Sequence, residues 1–93
     1  MIISFKDRET ERVFRRVKSR RFSGTLARAA LKKLVMLHSA DTLQDLIALP
    51  DNRTEKLTGD RKDRYSIRVN VQWCICFAWE NGRAAEVELV DNH

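Results

Sequence analysis

The 93-residue sequence predicts an α+β fold: an N-terminal strand, a helical hairpin, then a three-stranded antiparallel meander, forming one small twisted sheet with helices on one face. Three observations predict it. Apolar residues recur at helical spacing through residues 25–38, and from Lys56 onward the period changes to two. A tight Glu80-Asn81-Gly82 connection then joins two alternating runs, the strongest short hairpin signal in the chain.

The elements follow in order. Met1 to Phe5, MIISF, is β-prone and short enough for an edge strand. Ser4 or Asp7 can cap the first helix, Glu9 and Glu11 suit its positive end, and Val13, Phe14 and Val17 form its apolar stripe, ending near Ser19. After RRFSG a second helix runs from about Thr25 to His38 and buries Leu26, Ala30, Leu34 and Leu37. A short third helical piece, DTLQDLIAL, takes Asp41 as N-cap and turns Leu43, Leu46 and Ile47 inward; Pro50 and the run DNR close it.

Residues 64–69, RYSIRV, alternate Tyr65, Ile67 and Val69 against Arg64, Ser66 and Arg68. In the next strand, VQWCICFAWE, the large set is Val71, Trp73, Ile75, Phe77 and Trp79, and the small set is Gln72, Cys74, Cys76 and Ala78. Looping at Asn70-Val71-Gln72 pairs Val69 with Trp73, Arg68 with Cys74, Ile67 with Ile75 and Ser66 with Cys76, which keeps every pair on one side as a half-buried register requires. The aromatics alternating with Ile75 read as core rather than as base-stacking platforms. Ser66, Arg68, Cys74, Cys76 and Ala78 then make a shallow floor of small residues containing an arginine, able to admit a ligand. The run AAEVELVD supplies the last strand.

Composition bounds the rest. Ninety-three residues with 43% apolar content suit one domain, residues 1–93, with a modest core. No apolar run approaches the roughly 20 residues of a membrane span, and MIISFKDRE lacks the order of a signal peptide, so a soluble cytoplasmic protein with no membrane partner is expected. The net charge of +5 is uneven: residues 1–38 hold eleven Lys or Arg against three acids, and residues 39–93 hold seven against ten. Such a basic surface suits an anionic partner, nucleic acid or an acidic protein.

Cys74 and Cys76 point to one side of one strand with Cα atoms about 6.5–7 Å apart, at or beyond bridging distance. His38 and His93 lie far off without ligand spacing, so no metal site and no cofactor are expected, and small apolar filler is the plain reading of the cysteines. His93 is able to exchange a proton near neutral pH. Glu55 and Lys56 lie just before the sheet; Arg53 and Arg61 flank the same region, and Arg64 and Arg68 project from the first hairpin strand, cations suited to an anionic partner.

Asn52-Arg53, Leu57, Gly59-Asp60-Arg61, Ser66-Ile67-Arg68-Val69-Asn70, Gln72-Trp73, Ile75-Cys76-Phe77 and the terminal Val90-Asp91…His93 stand together in a pattern that closely resembles the HigB-type toxins of the RelE/ParE superfamily, over essentially the whole chain. The resemblance implies a toxin that enters the ribosomal A site and cleaves mRNA during translation, with ribosomal RNA as well as mRNA as counterpart and a HigA-like helix-turn-helix antitoxin as partner. It implies catalytic roles for His93, Asp91, Asn92, Glu55 and the position of Cys74, and RNA binding by Arg53, Lys56, Arg61, Arg64 and Arg68.

Departures accompany the matches. Many relatives carry arginine at the position of Cys74, tyrosine at Asn92 and lysine at Thr58, and some carry histidine at Glu55. Loss of the guanidinium removes an electrostatic contribution of the kind worth about 2.7–4 kcal/mol, or roughly 10²–10³ in rate. A second reading is therefore a toxin-fold protein of weakened catalysis that acts mainly by binding its antitoxin or the ribosome. The gyrase-directed action found elsewhere in the superfamily fits less well, because Asp91…His93 belongs to the RNA-cleaving branch.

Overall fold

A computed structural model describes residues 1–58 and 63–91. Three helices, α1 (Arg8–Phe14), α2 (Gly24–Ser39) and α3 (Leu43–Ile47), precede a 3-10 turn at Pro50–Asn52. Four strands follow, β1 (Glu55–Lys56), β2 (Arg64–Arg68), β3 (Trp73–Glu80) and β4 (Arg83–Asp91), in the order β1-β2-β3-β4 and antiparallel throughout. The predicted meander is therefore present, with one further strand at its edge. At two residues, β1 is too short to show alternation; it is held by pairing of Glu55 with Ser66 and Lys56 with Tyr65 and by the Leu57 N–H donating to the Arg64 carbonyl at 2.8 Å.

The expected N-terminal strand takes a weaker form. Ile2 and Phe5 make isolated parallel bridges to Ala84 and Val87, outside any named strand. A bulge in β4 explains the interruption: Glu86 adopts φ 49°, the register slips between Ala85 and Glu88, and the Glu86 N–H turns to the Ser4 hydroxyl at 2.8 Å. Backbone bonds survive on either side, Ile3 N–H to Ala84 at 2.8 Å and Lys6 N–H to Val87 at 2.9 Å.

Helix α1 stops at Phe14, five residues before the expected end near Ser19. Arg16 takes φ 60°, its N–H donates to the Val13 carbonyl and that of Val17 to Arg12, a Schellman closure made without glycine. Val17 is consequently left 48% exposed instead of extending the stripe. Beyond it, the Glu9 carboxylate accepts from the Ser19 hydroxyl at 2.8 Å and the Arg20 N–H at 3.0 Å, tying the SRRF segment back to α1.

Helix α2 buries Leu26, Ala30, Leu34 and Leu37 as expected, and the Ser23 hydroxyl caps it by accepting from the Leu26 N–H. In α3 the cap is Thr42 rather than Asp41, because the T-x-x-D spacing closes a reciprocal capping box with Asp45. Ile47, expected inward, is 49% exposed; a helix this short presents Leu43 and Leu46 on one side, and Ile47 lies a further 100° or so around the axis.

These side chains meet the inner face of the sheet in one core, in which Leu34, Leu37, Leu46, Ile67, Ile75, Phe77 and Val87 are fully buried. Trp73 packs edge-on against Phe22 at 5.7 Å, and Trp79 against Phe77 at 6.3 Å, so the alternating aromatics are core. Val71 is the exception: assigned to the large apolar set by alternation, it stands 84% exposed in the β2–β3 loop. There the Asn70 side chain accepts from the Gln72 and Trp73 N–H groups at 2.8 Å and curls the chain away from the sheet.

Candidate functional site

Strand alternation decides what the face away from the helices contains. The pairs Ser66–Cys76, Ile67–Ile75 and Arg68–Cys74 form as the sequence predicts, so Ser66, Arg68, Cys74 and Cys76 share the outer face. The bulge in β4 adds what alternation alone would have put on the opposite face. Past it, Glu88 comes opposite Cys76 and Val90 opposite Cys74, while Val87 and Leu89 enter the core. Glu55 joins from β1, opposite Ser66.

Together these side chains enclose a cavity of about 300 Å³ lined by Arg53, Glu55, Leu57, Ser66, Arg68, Val71, Cys74, Cys76 and Val90. Its walls have identifiable supports. Arg53 follows the 3-10 turn with φ 41°, and the turn is fastened by Asn52, which is fully buried. Asn52 accepts from the Lys33 ammonium at 2.7 Å and donates to the Leu46 carbonyl at 3.0 Å and the Met36 sulfur at 3.2 Å. The Arg68 Nε donates to the Asn70 carbonyl at 3.0 Å, which anchors one end of its guanidinium beside the cavity.

The floor is thiol. Cys74 Sγ and Cys76 Sγ lie 3.8 Å apart, both buried. The hydrogen bond from Cys76 holds the Cys74 thiol below the ordinary thiol range and pushes that of Cys76 up; burial and the nearby Glu88 push Cys76 up further. Arg64 has a different setting from Arg53 and Arg68. Its side chain is almost wholly enclosed, with Nη2 on the Glu88 carboxylate at 2.9 Å and Nη1 buried without a hydrogen-bond partner among the described residues, and Lys6 shares that carboxylate at 3.4 Å.

The structure thus brings together Arg53, Glu55, Arg68 and Cys74 of the residues singled out by sequence. Lys56 is exposed on the other side of β1, in register with Tyr65. Glu55 and Lys56 belong to the sheet itself, not to the segment before it. Asp91 ends β4 opposite Trp73, and its carboxylate accepts from the Gln72 amide at 3.0 Å. Arg61, Asn92 and His93 lie outside the described residues. Sequence reasoning did not name Leu57, Val71 or Val90 as walls, nor Glu88 as the partner of Arg64. The family pattern, which holds both Leu57 and Val90, was the available signal for those two; for Glu88 the unseen bulge removed any.

Chemically, two guanidinium groups over a small floor suit a bound anion such as a phosphodiester, and a carboxylate at the same cavity can accept a proton. Among the described residues no cluster of His, Cys, Asp and Glu is assembled to hold a metal ion. The fold and this cavity define an α+β protein with a helical hairpin on one face of a meander sheet and an arginine-rimmed cleft on the other.

The chain belongs to the HigB-like toxin family: the model of the "RelE-like toxin of type II toxin-antitoxin system HigB" matches residues 3–93. It is 36% identical over 90 residues to Toxin HigB-1 of Vibrio cholerae, covering 96% of this chain and 95% of that protein. It is also 34% identical over 64 residues to an uncharacterized protein of Haemophilus influenzae, covering 69% of this chain and 63% of that one. Membership of a type II toxin–antitoxin family implies an antitoxin as partner. No helix among the described residues is long and apolar enough to cross a membrane.

Proposed function

We propose that this toxin is a ribosome-dependent mRNA endonuclease that acts in the cytoplasm, inhibits translation, and is neutralised by a HigA-like helix-turn-helix antitoxin. The observation that carries the reading is the convergence of Arg53, Arg68 and Glu55 on one cavity, over the small floor of Ser66, Cys74 and Cys76. RNA cleavage through the 2′-hydroxyl requires a base to remove its proton, an acid to protonate the leaving oxygen, and cations to offset charge gathering on the phosphate. Arg53 and Arg68 supply positive charge at the cavity, and Glu55 is the base within it. His93, an imidazole at the C-terminus, is assigned the acid by its chemistry, with Asp91 and Asn92 beside it in sequence. Lys56 and Arg61 add backbone contacts to mRNA and ribosomal RNA. Arg64, enclosed with Glu88, serves by supporting the floor of the cleft.

A second reading has its own observation. Cys74 is buried and hydrogen-bonded to Cys76, so the floor presents a thiol where the resemblance to the family implies a guanidinium. In that reading the chain binds its antitoxin or the ribosome and cuts weakly. Expression of this chain beside Cys74→Arg in a host lacking the antitoxin, with growth recorded and mRNA 5′ ends mapped, separates the two. New in-frame cuts by the unsubstituted chain support the nuclease; cuts by Cys74→Arg alone put the site in this cleft but disarmed. Silence from both overturns the nuclease reading.

A further inference from the structure

Cys74 and Cys76 stand two residues apart on one face of β3 with their sulfurs 3.8 Å from each other. Both thiols are free, and both line the cavity of about 300 Å³. Residues i and i+2 of a strand hold their Cα atoms about 6.5–7 Å apart, at or past the span that a disulfide bridges. The two sulfurs are therefore close enough to grip one atom between them and are held by the strand from bonding to each other.

We propose that Cys74 and Cys76 form a dithiol site for a trivalent thiophilic centre of the arsenical class, R–As(OH)₂, seated on the floor of the cavity. A divalent metal ion is the poorer occupant, since a closed site takes four protein ligands and among the described residues no cluster of even three ligating His, Cys, Asp or Glu side chains is assembled. A trivalent arsenical brings its own third substituent and asks only two sulfurs of the protein. The cavity receives that substituent, with Val71 and Val90 as apolar walls and Arg68 in register with Cys74.

The step balances without an oxidant. Two S–H bonds and two As–OH bonds break, two As–S bonds form, and two waters leave; arsenic stays trivalent throughout. One thiol attacks first, and its proton passes to the departing hydroxide. The other, with its sulfur 3.8 Å away, then closes the second bond within the same molecule. The inference needs only the two sulfurs and the cavity, and it stands or falls apart from the reading of the cleft as an RNA site.

The test treats the reduced full chain with one equivalent of phenylarsine oxide, which hydrates to the dihydroxy form, and reads intact mass and remaining free thiols. One arsenical per chain with both thiols consumed is the expected result, resistant to excess glutathione and reversed by dithiothreitol. Cys74→Ser and Cys76→Ser are each expected to loosen the adduct by about 10²–10⁴-fold, the gain a second tethered attachment gives. The stoichiometry of the unsubstituted chain decides the matter even where a variant fails to fold. Two arsenicals per chain, none, or an adduct that glutathione strips overturns the proposal.

Discussion

Asn52→Ala tests the idea that one buried amide holds the wall of the cleft in place. Asn52 has no exposed surface, and its side chain accepts from the Lys33 ammonium at 2.7 Å and donates to the Leu46 carbonyl at 3.0 Å and the Met36 sulfur at 3.2 Å. A bond to a charged group is worth about 1.5–3 kcal/mol and a neutral one about 1 kcal/mol. Lys33 is only half-buried and regains water, which lowers the first figure, and Thr54 still serves the Leu46 carbonyl at 3.3 Å. The expected loss is about 3 kcal/mol, or roughly 12–24 °C in Tm for a domain of this size. Urea unfolding followed by the fluorescence of Trp73 and Trp79 measures it. Lys33→Met run beside it closes a double-mutant cycle, in which coupling of about 1–2 kcal/mol is expected for groups in direct contact. A loss below about 1 kcal/mol for Asn52→Ala, or no coupling to Lys33, would refute the reasoning, because the amide would then be replaceable by water at no structural cost.

Three further outcomes are expected. Arg16→Gly should stabilise the chain by about 0.5–1 kcal/mol, since Arg16 sits at φ 60° in the closure of α1 where glycine carries no Cβ penalty; thermal unfolding checks the sign. Arg64→Met should cost about 2 kcal/mol by removing the closer of the cations on Glu88 and leaving Lys6 at 3.4 Å, less than for a wholly buried pair because Glu88 keeps some contact with water, and Glu88→Leu added to it should restore part of the loss in the same assay. Asp45 is held below the ordinary carboxylate range by the N–H groups of Thr42 and Asp41. A folded-state value below the unfolded one contributes stability that is full above the unfolded value and lost as the pH falls through the folded one. Urea midpoints measured from neutral into acid pH should therefore decline less steeply for Asp45→Asn than for the unsubstituted chain.

Much of the architecture was legible because it rests on local periodicity. The stripe Leu26, Ala30, Leu34, Leu37 can be buried only by a helix, and the β2–β3 register follows from keeping Ile67 and Ile75 on one side. Asn81-Gly82 closes its hairpin with both residues at positive φ, as that pair favours. The floor of Ser66, Arg68, Cys74 and Cys76 was readable from the same alternation, Arg53 from the family pattern, and Glu55 from its place at the start of the sheet.

Where alternation or stripe extrapolation went astray, the cause was a backbone event without a local signal. Arg16 at positive φ ended α1 early, since nothing about an arginine announces a left-handed closure. Asn70 drew Val71 out of the apolar series by capturing the amides that follow it.

By itself, then, the sequence determined the helix–meander order, the pairing of the first hairpin and the small character of the outer face, all consequences of short-range period. Only the tertiary structure decided what that face holds. The bulge at Glu86 is stabilised by Ser4, a residue eighty-two positions away in the chain, and it turns Glu88 toward Arg64 and Val90 toward Cys74. The Asn52 bonds to α2 and α3 set Arg53 at the rim. Each depends on contacts between segments distant in sequence, which no local pattern encodes.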